Sequence, residues 1–232
     1  MKRVGIVGGV GPYAAIHFYE RLLRLSGATA DEAYPATVMV AEQVPSRIDH
    51  LLGAGESPLP VLLGTVRQLE RAGADVIAIP SATTHAYRDE LAAAVSVPVG
   101  DLLLETALTL QRLGYRRPLI LATRATATLS LFEPKLPPGP QVRYPDDPAQ
   151  RRVSDFITRV KRGEPAAGLR AEFTEWIERN ADDPDCVILG CTELSVIAPD
   201  VPVHAPIVDV TDVLARAMIA AIERPAETCD VR

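Results

Sequence analysis

The sequence predicts an α/β protein: two doubly wound parallel-sheet domains related by a pseudo-two-fold axis, with a site in the cleft between them. Three features carry that expectation. Short apolar runs rich in β-branched residues alternate with longer segments whose apolar residues recur every three or four positions, as in parallel sheets covered on both faces. Gly27, Gly73 and Gly114 follow three of the longer segments, where a left-handed residue closes a helix. Two segments also rhyme. Asp75-Val-Ile-Ala-Ile-Pro-Ser81 and Asp185-Cys-Val-Ile-Leu-Gly-Cys191 each run from an aspartate through a short apolar strand and a small or kinking residue to a nucleophile-type side chain. Ser81 and Cys191 lie 110 positions apart, about one α/β domain.

In chain order, residues 3–7, 37–41, 75–79, 118–122 and 186–189 read as buried strands, each a short and largely apolar run. Residues 13–26, 59–72, 86–94, 101–113, 153–162 and 167–180 read as helices, with Pro12 suited to the first turn of the first one. The stretches 95–100 and 134–148 punctuate the chain, and the second, with six of the 20 prolines, reads as a surface loop. The N-terminal MKRVGIVGG pairs basic residues with an apolar run, but glycines break that run and no cleavage site follows, so it reads as a first strand and not as a signal peptide. No run approaches the roughly 20 apolar residues of a membrane span. One domain is expected over 1–98 with a C-terminal helix in 208–232, and the other over 99–207.

Composition narrows the partner. At 232 residues and 47% hydrophobic content the chain can bury a sizeable core. A net charge of −6 with both signs interspersed argues against a nucleic-acid surface, which needs a concentrated basic face. Cys186, Cys191 and Cys229 are too few for a disulfide framework, which points to a reducing, cytoplasmic setting. The four histidines are scattered and no CxxC pair occurs, so no metal site is expected. What remains is a small molecule, with neither nucleic acid nor membrane as partner.

Parallel-sheet proteins place their chemistry just beyond the carboxyl ends of strands, and Ser81 and Cys191 both fall there. A pseudo-two-fold axis would set them on opposite walls of the cleft, which suits a reaction that needs one group on each face of a planar carbanion. Cys186, inside a strand, reads as a core residue. Gly9-Val10-Gly11-Pro12-Tyr13-Ala14 also fits the dinucleotide pattern GxGxxA, but the acidic residues at the expected distance, Asp31 and Glu32, precede the second strand instead of ending it. Thr126 reads as a helix cap and His204 as a loop residue.

Four segments carry a resemblance to the aspartate racemase branch of the aspartate/glutamate racemase family: Gly8-Gly9-Val10-Gly11-Pro12, Gln43-Val44-Pro45-Ser46-Arg47, Ile79-Pro80-Ser81-Ala82-Thr83-Thr84-His85, and Leu189-Gly190-Cys191-Thr192-Glu193-Leu194. They occur in the family's order and span nearly the whole chain. The resemblance implies an isomerase that uses neither pyridoxal phosphate nor metal, in which a cysteine from each domain exchanges the α-proton of an acidic amino acid, and it implies a homodimer. Cys191 then takes the acid/base role, its thiolate favoured by a strand-to-helix turn with its amides and helix dipole. Gly9 lets backbone amides approach a carboxylate. Arg47 corresponds to a carboxylate-binding arginine, with a solvated surface arginine as the alternative. Thr83, Thr84, Thr123, Thr192 and Glu193 are implied contacts, and Lys161 resembles a family lysine, although a solvated helix-end lysine fits it equally.

The chain also departs from the family pattern. Ser81 and Ala82 stand where a cysteine and an asparagine are expected, Ala41 replaces another asparagine, and Leu214 stands where the family carries a histidine. A hydroxyl is a far weaker acid than a thiol, so Ser81 needs a partner, and His85 is the one within a turn. Symmetric two-thiol chemistry is excluded. The expected function is therefore cofactor-independent racemisation of aspartate, glutamate or a close analogue, selective for the L form. The alternatives are a one-cysteine decarboxylase or isomerase of a small dicarboxylic acid, or a non-catalytic carboxylate binder.

Overall fold

The computed structural model describes residues 2–136 and 138–223, so Cys229 and the rest of the segment 224–232 lie outside the described residues. The first half contains β1 (Arg3–Val7), α1 (Pro12–Ser26), β2 (Ala36–Val40), α2 (Arg47–Leu51), α3 (Leu59–Arg71), β3 (Val76–Ala78), α4 (Arg88–Ala93) and α5 (Leu102–Leu113). The second contains β4 (Pro118–Leu121), α6 (Arg124–Thr128), α7 (Asp147–Lys161), α8 (Ala166–Asn180), β5 (Cys186–Leu189), α9 (Thr192–Val196), β6 (Ile207–Asp209) and α10 (Val210–Glu223).

Among the described residues the strands form two parallel sheets, ordered β2-β1-β3 and β4-β5-β6. Each sheet gains a single-residue bridge at one edge, Val99 beside Ile77 and Arg143 beside Leu119. Counting those bridges, both halves run in the order second, first, third, fourth. The predicted α/β class and its two parallel sheets are thus observed, and β3 and β5 occupy matching places.

Period-two burial explains the layers. Val4 and Ile6 of β1, with Val76 and Ala78, face inward, as do Ile120, Cys186 and Ile188 of the second sheet; Phe18, Leu22, Leu102, Leu110, Leu214 and Met218 fill the space between the sheets. The helices α1, α5 and α10 therefore form one inner layer shared by both sheets. On the outer face of the first sheet, Val7 and Ile77 pack under Leu62, Val66, Leu69 and Leu91. On that of the second, Leu121, Val187 and Leu189 pack under Val153, Phe156, Phe173 and Ile177. Cys186 is fully buried, and burial pushes its thiol up to about 12, as befits a core residue.

Local signals set the helix ends. Gly27 and Gly114 close α1 and α5 with φ of 68° and 75°. The helix expected from residue 153 starts at Asp147 instead: Asp146 caps it by accepting from the Ala149 N–H, and a proline sits in its first turn, so the end of the expected loop is helix.

Candidate functional site

The polypeptide leaves β3 through Ile79 and Pro80 to Ser81, and leaves β5 through Gly190 to Cys191. Gly190 is required there, because a Cβ would lie 2.8 Å from Ile120. Ser81 and Cys191 line one cleft together with Arg47, Thr83, Thr123, Lys161, Thr192 and Glu193. Gly9 lines an adjoining hollow of about 320 Å³ that shares Arg47 and Lys161 with the cleft. Thr84 is fully buried behind the wall and donates to Ser81 Oγ at 2.8 Å. The cleft itself is tight, about 10 Å³ for the centre of a guest atom, on the order of a single water.

The cysteine's electrostatics differ from expectation. Cys191 caps α9, yet its thiol donates to Glu193 Oε2 at 2.9 Å. Burial and the adjacent carboxylate push the thiol well above its ordinary pKa, while the Lys161 ammonium pulls it back only in part. A five-residue helix offers little dipole to oppose those two effects, so the turn does not by itself yield a thiolate. Lys161 Nζ lies 3.7 Å from Glu193 Oε1, which turns it toward the cleft.

Arg47 opens α2, whose cap Ser46 accepts from the Asp49 N–H. Its Nη1 donates to the Pro45 carbonyl at 3.4 Å, and its Nε is buried with no hydrogen-bond partner among the described residues. Burial depresses its pKa, offset only in part by attraction to Glu193. That placement is not that of a solvated surface arginine.

His85 is not a partner for the Ser81 hydroxyl. Its Nε2 accepts from the Leu102 N–H at 3.0 Å, so Nδ1 carries the proton and donates to the Ser81 carbonyl at 2.8 Å. Both nitrogens serve the backbone, and burial holds the ring neutral. The threonines are also rearranged relative to expectation: Thr123, not Thr126, caps α6 by accepting from the Thr126 N–H. The hydroxyls of Thr83, Thr123 and Thr126 form a buried triangle with edges of 3.0 to 3.1 Å that joins the two halves. Thr192 Oγ1 also crosses, donating to the Pro80 carbonyl at 2.9 Å. His204 sits at the surface against Glu178.

The glycine loop answers to these neighbours and not to a dinucleotide. Gly9 has φ +72° and a Cβ on it would lie 2.0 Å from the Glu42 carbonyl oxygen, while one on Gly11 would lie 2.6 Å from Glu193 Oε1. Asp31 and Glu32 belong to a 3-10 turn ahead of β2, away from any strand end. Sequence reasoning did not single out Val10, an apolar residue inside the glycine segment, or Ile48, which belongs to no motif, and both line the cleft. It also missed a buried network beneath Cys191, in which Ser195 Oγ donates to Asp209 at 2.6 Å; the four-residue spacing from Cys191 was the available signal.

The family model for Asp/Glu/hydantoin racemase matches residues 7–218. The broad specificity amino-acid racemase RacX of Bacillus subtilis (strain 168) is 25% identical over 221 residues, 94% of this chain and 96% of that protein. The Picrophilus torridus aspartate racemase is 28% identical with a TM-score of 0.86, covering 95% of this chain and 94% of that one. An aspartate racemase homologue from Pyrococcus horikoshii OT3, 24% identical over 97% of this chain and all of its own, shares the fold with a TM-score of 0.74. A family match that begins at the last residue of β1 and ends inside α10 takes in both walls of the cleft, and the chain therefore belongs to the Asp/Glu/hydantoin racemase family.

Proposed function

We propose that this isomerase racemises an acidic amino acid, aspartate, glutamate or a close analogue, without a cofactor, and that Cys191 moves the α-proton. The observation that carries this is the convergence of Cys191 and Ser81 on one cleft from matching strand ends of the two sheets. Charge supports the substrate class. Arg47 and Lys161 against Glu193 leave the cleft one formal positive charge, the complement of an amino dicarboxylate of net charge −1. Arg47, with its unpartnered Nε, takes one carboxylate, and Thr83 and Thr123 take the other by turning their hydroxyls out of the triangle they form with Thr126. Gly9, Thr84 and Thr192 shape the loops around them.

Glu193 accepts the thiol proton, and the thiolate takes the α-hydrogen of the L enantiomer. The cleft has to open to admit the amino acid, and buried donors then hold the resulting enolate away from bulk water. Once the hydrogen on Cys191 has exchanged with solvent, its return regenerates the L form with a solvent hydrogen in place, whereas delivery from the Ser81 hydroxyl inverts the centre and leaves an alkoxide that solvent then reprotonates. Because a hydroxyl is the poorer acid, the first route is the faster. Cytoplasmic placement and a homodimer belong to the same proposal, through the family resemblance.

In deuterium oxide, therefore, the label should enter L-aspartate or L-glutamate faster than the D isomer accumulates, and Cys191→Ser should abolish both while sparing the fold. Retention of more than about a tenth of kcat in that variant, a barrier change under about 1.4 kcal/mol, removes Cys191 from the role. A second reading draws on the raised thiol pKa, since a thiol protonated at rest suits protonation of the enolate left when carbon dioxide departs from a small dicarboxylic acid. Carbon dioxide release from a malonate-type acid, without exchange into any amino acid, would favour it. Ligand binding with neither outcome would leave a carboxylate binder.

A further inference from the structure

Cys191 is held by very little chain. It caps α9, a helix of five residues in which Leu194 is the only large apolar side chain with no exposure. Apolar contact is non-directional and cannot fix such a short element to a fraction of an ångström, whereas hydrogen bonds are directional. Thr192 supplies one such bond, to the Pro80 carbonyl at 2.9 Å, and the far end of the helix is held by Ser195, four residues after Cys191 and 2% exposed. Its hydroxyl donates to Asp209 Oδ1 at 2.6 Å, the same oxygen accepts from the Thr211 N–H at 2.8 Å, and the Thr211 hydroxyl donates to Ser195 Oγ at 2.7 Å. The ring closes α9 onto the junction of β6 and α10. Capping of α10 accounts for the bond from Thr211 but not for the short bond from Ser195.

The other half makes the same connection with different chemistry. His85 follows Ser81 by four residues, as Ser195 follows Cys191, and it binds the N–H of Leu102, the first residue of α5. Asp101 stands before α5 as Asp209 stands before α10, but Asp101 is paired with Lys135 at 3.0 Å and Arg88 at 3.6 Å. Asp209 forms no ion pair among the described residues, because the nearby Arg21 is engaged in two hydrogen bonds by Asp212. In both halves the residue four beyond the acid/base position ties its loop to the start of the helix after the next strand.

We propose that Asp209 is a positioning residue that holds Cys191 in register with the substrate by fixing α9 through Ser195. The proposal rests on Cys191 being the acid/base group. A displacement of about 1 Å at such a group costs on the order of a hundredfold in rate, so loosening α9 reduces kcat while leaving the carboxylate contacts, and KM, in place.

The experiment compares Ser195→Ala, Asp209→Ala, Asp209→Asn and the double alanine variant with wild type. The readouts are kcat and KM for isotope exchange, and the rate at which iodoacetamide alkylates Cys191, followed on its own peptide. Either alanine variant should lower kcat by more than about tenfold with KM within about twofold. The double variant should be no worse than the poorer single one, since both break the same bond. Asp209→Asn, whose amide oxygen still accepts from Ser195 and Thr211, should restore most of the rate. Wild-type kcat in both alanine variants, additive losses, or an Asn variant as impaired as Ala would overturn the proposal. Should Asp209→Ala not fold, Ser195→Ala and Asp209→Asn carry the same comparison. If wild type exchanges no amino acid, the racemase reading falls by itself. The tether is still tested by alkylation, which must change by at least about threefold in Ser195→Ala, an unchanged rate overturning it.

Discussion

In the proposed reaction, Glu193 governs when Cys191 can act. Burial and its carboxylate, which accepts from the thiol, keep the sulfur neutral, so the free protein should react sluggishly with alkylating agents near neutral pH. Replacing it by glutamine removes the negative charge while preserving shape. The sign follows directly: a neighbouring anion disfavours the thiolate, so its removal lowers the thiol pKa, and alkylation of Cys191 in Glu193→Gln should set in at a lower pH than in wild type. Turnover should nevertheless fall, because the amide cannot accept the proton the thiol must release. A pH series of alkylation rates beside a turnover assay checks both. Equal profiles would mean that the 2.9 Å contact has no electrostatic consequence.

At the scale of elements, the loop between β1 and α1 packs closely on the segment that leads from β2 to Arg47. Gly9→Ala would combine a left-handed backbone with a Cβ driven to 2.0 Å from a carbonyl oxygen, and the segment leading to Arg47 has to retreat to admit it. The expected cost is more than about 1 kcal/mol of stability together with a higher KM, read from urea midpoints and saturation curves. A variant with both values unchanged would contradict this account of the loop. Strands that are apolar runs were legible in the sequence: 3–7 and 186–189 match β1 and β5 residue for residue, and the others lie within a residue or so at each end. β6 was not, because three residues show no period, and it exists only because β5 offers an open edge. Cys191 and Ser81 stood out because strand ends are where parallel sheets expose side chains. The Ser195–Asp209 bond did not, since the four-residue spacing from Cys191 points to Ser195 but not to a partner 14 positions further on. The raised thiol pKa depends on burial of the sulfur and on a carboxylate two residues on folding back toward it, which sequence alone leaves open.

At the scale of the whole molecule, the two sheets share one inner layer, and the two walls of the cleft carry different groups. Ser81→Cys should place a thiol on both walls and raise accumulation of the opposite enantiomer relative to isotope exchange of the starting one. An unchanged ratio would mean that Ser81 does not contact the reacting carbon. The matching strand order has a wider consequence. A cleft built by two identical subunits about a true two-fold axis must present the same side chain from both sides, so any change in one wall is copied into the other. Covalent fusion removes that constraint. Each wall can be tuned to its own acidity, and the molecule acquires an intrinsic handedness, so mirror-image guests meet chemically different surfaces on the two faces of the same carbon.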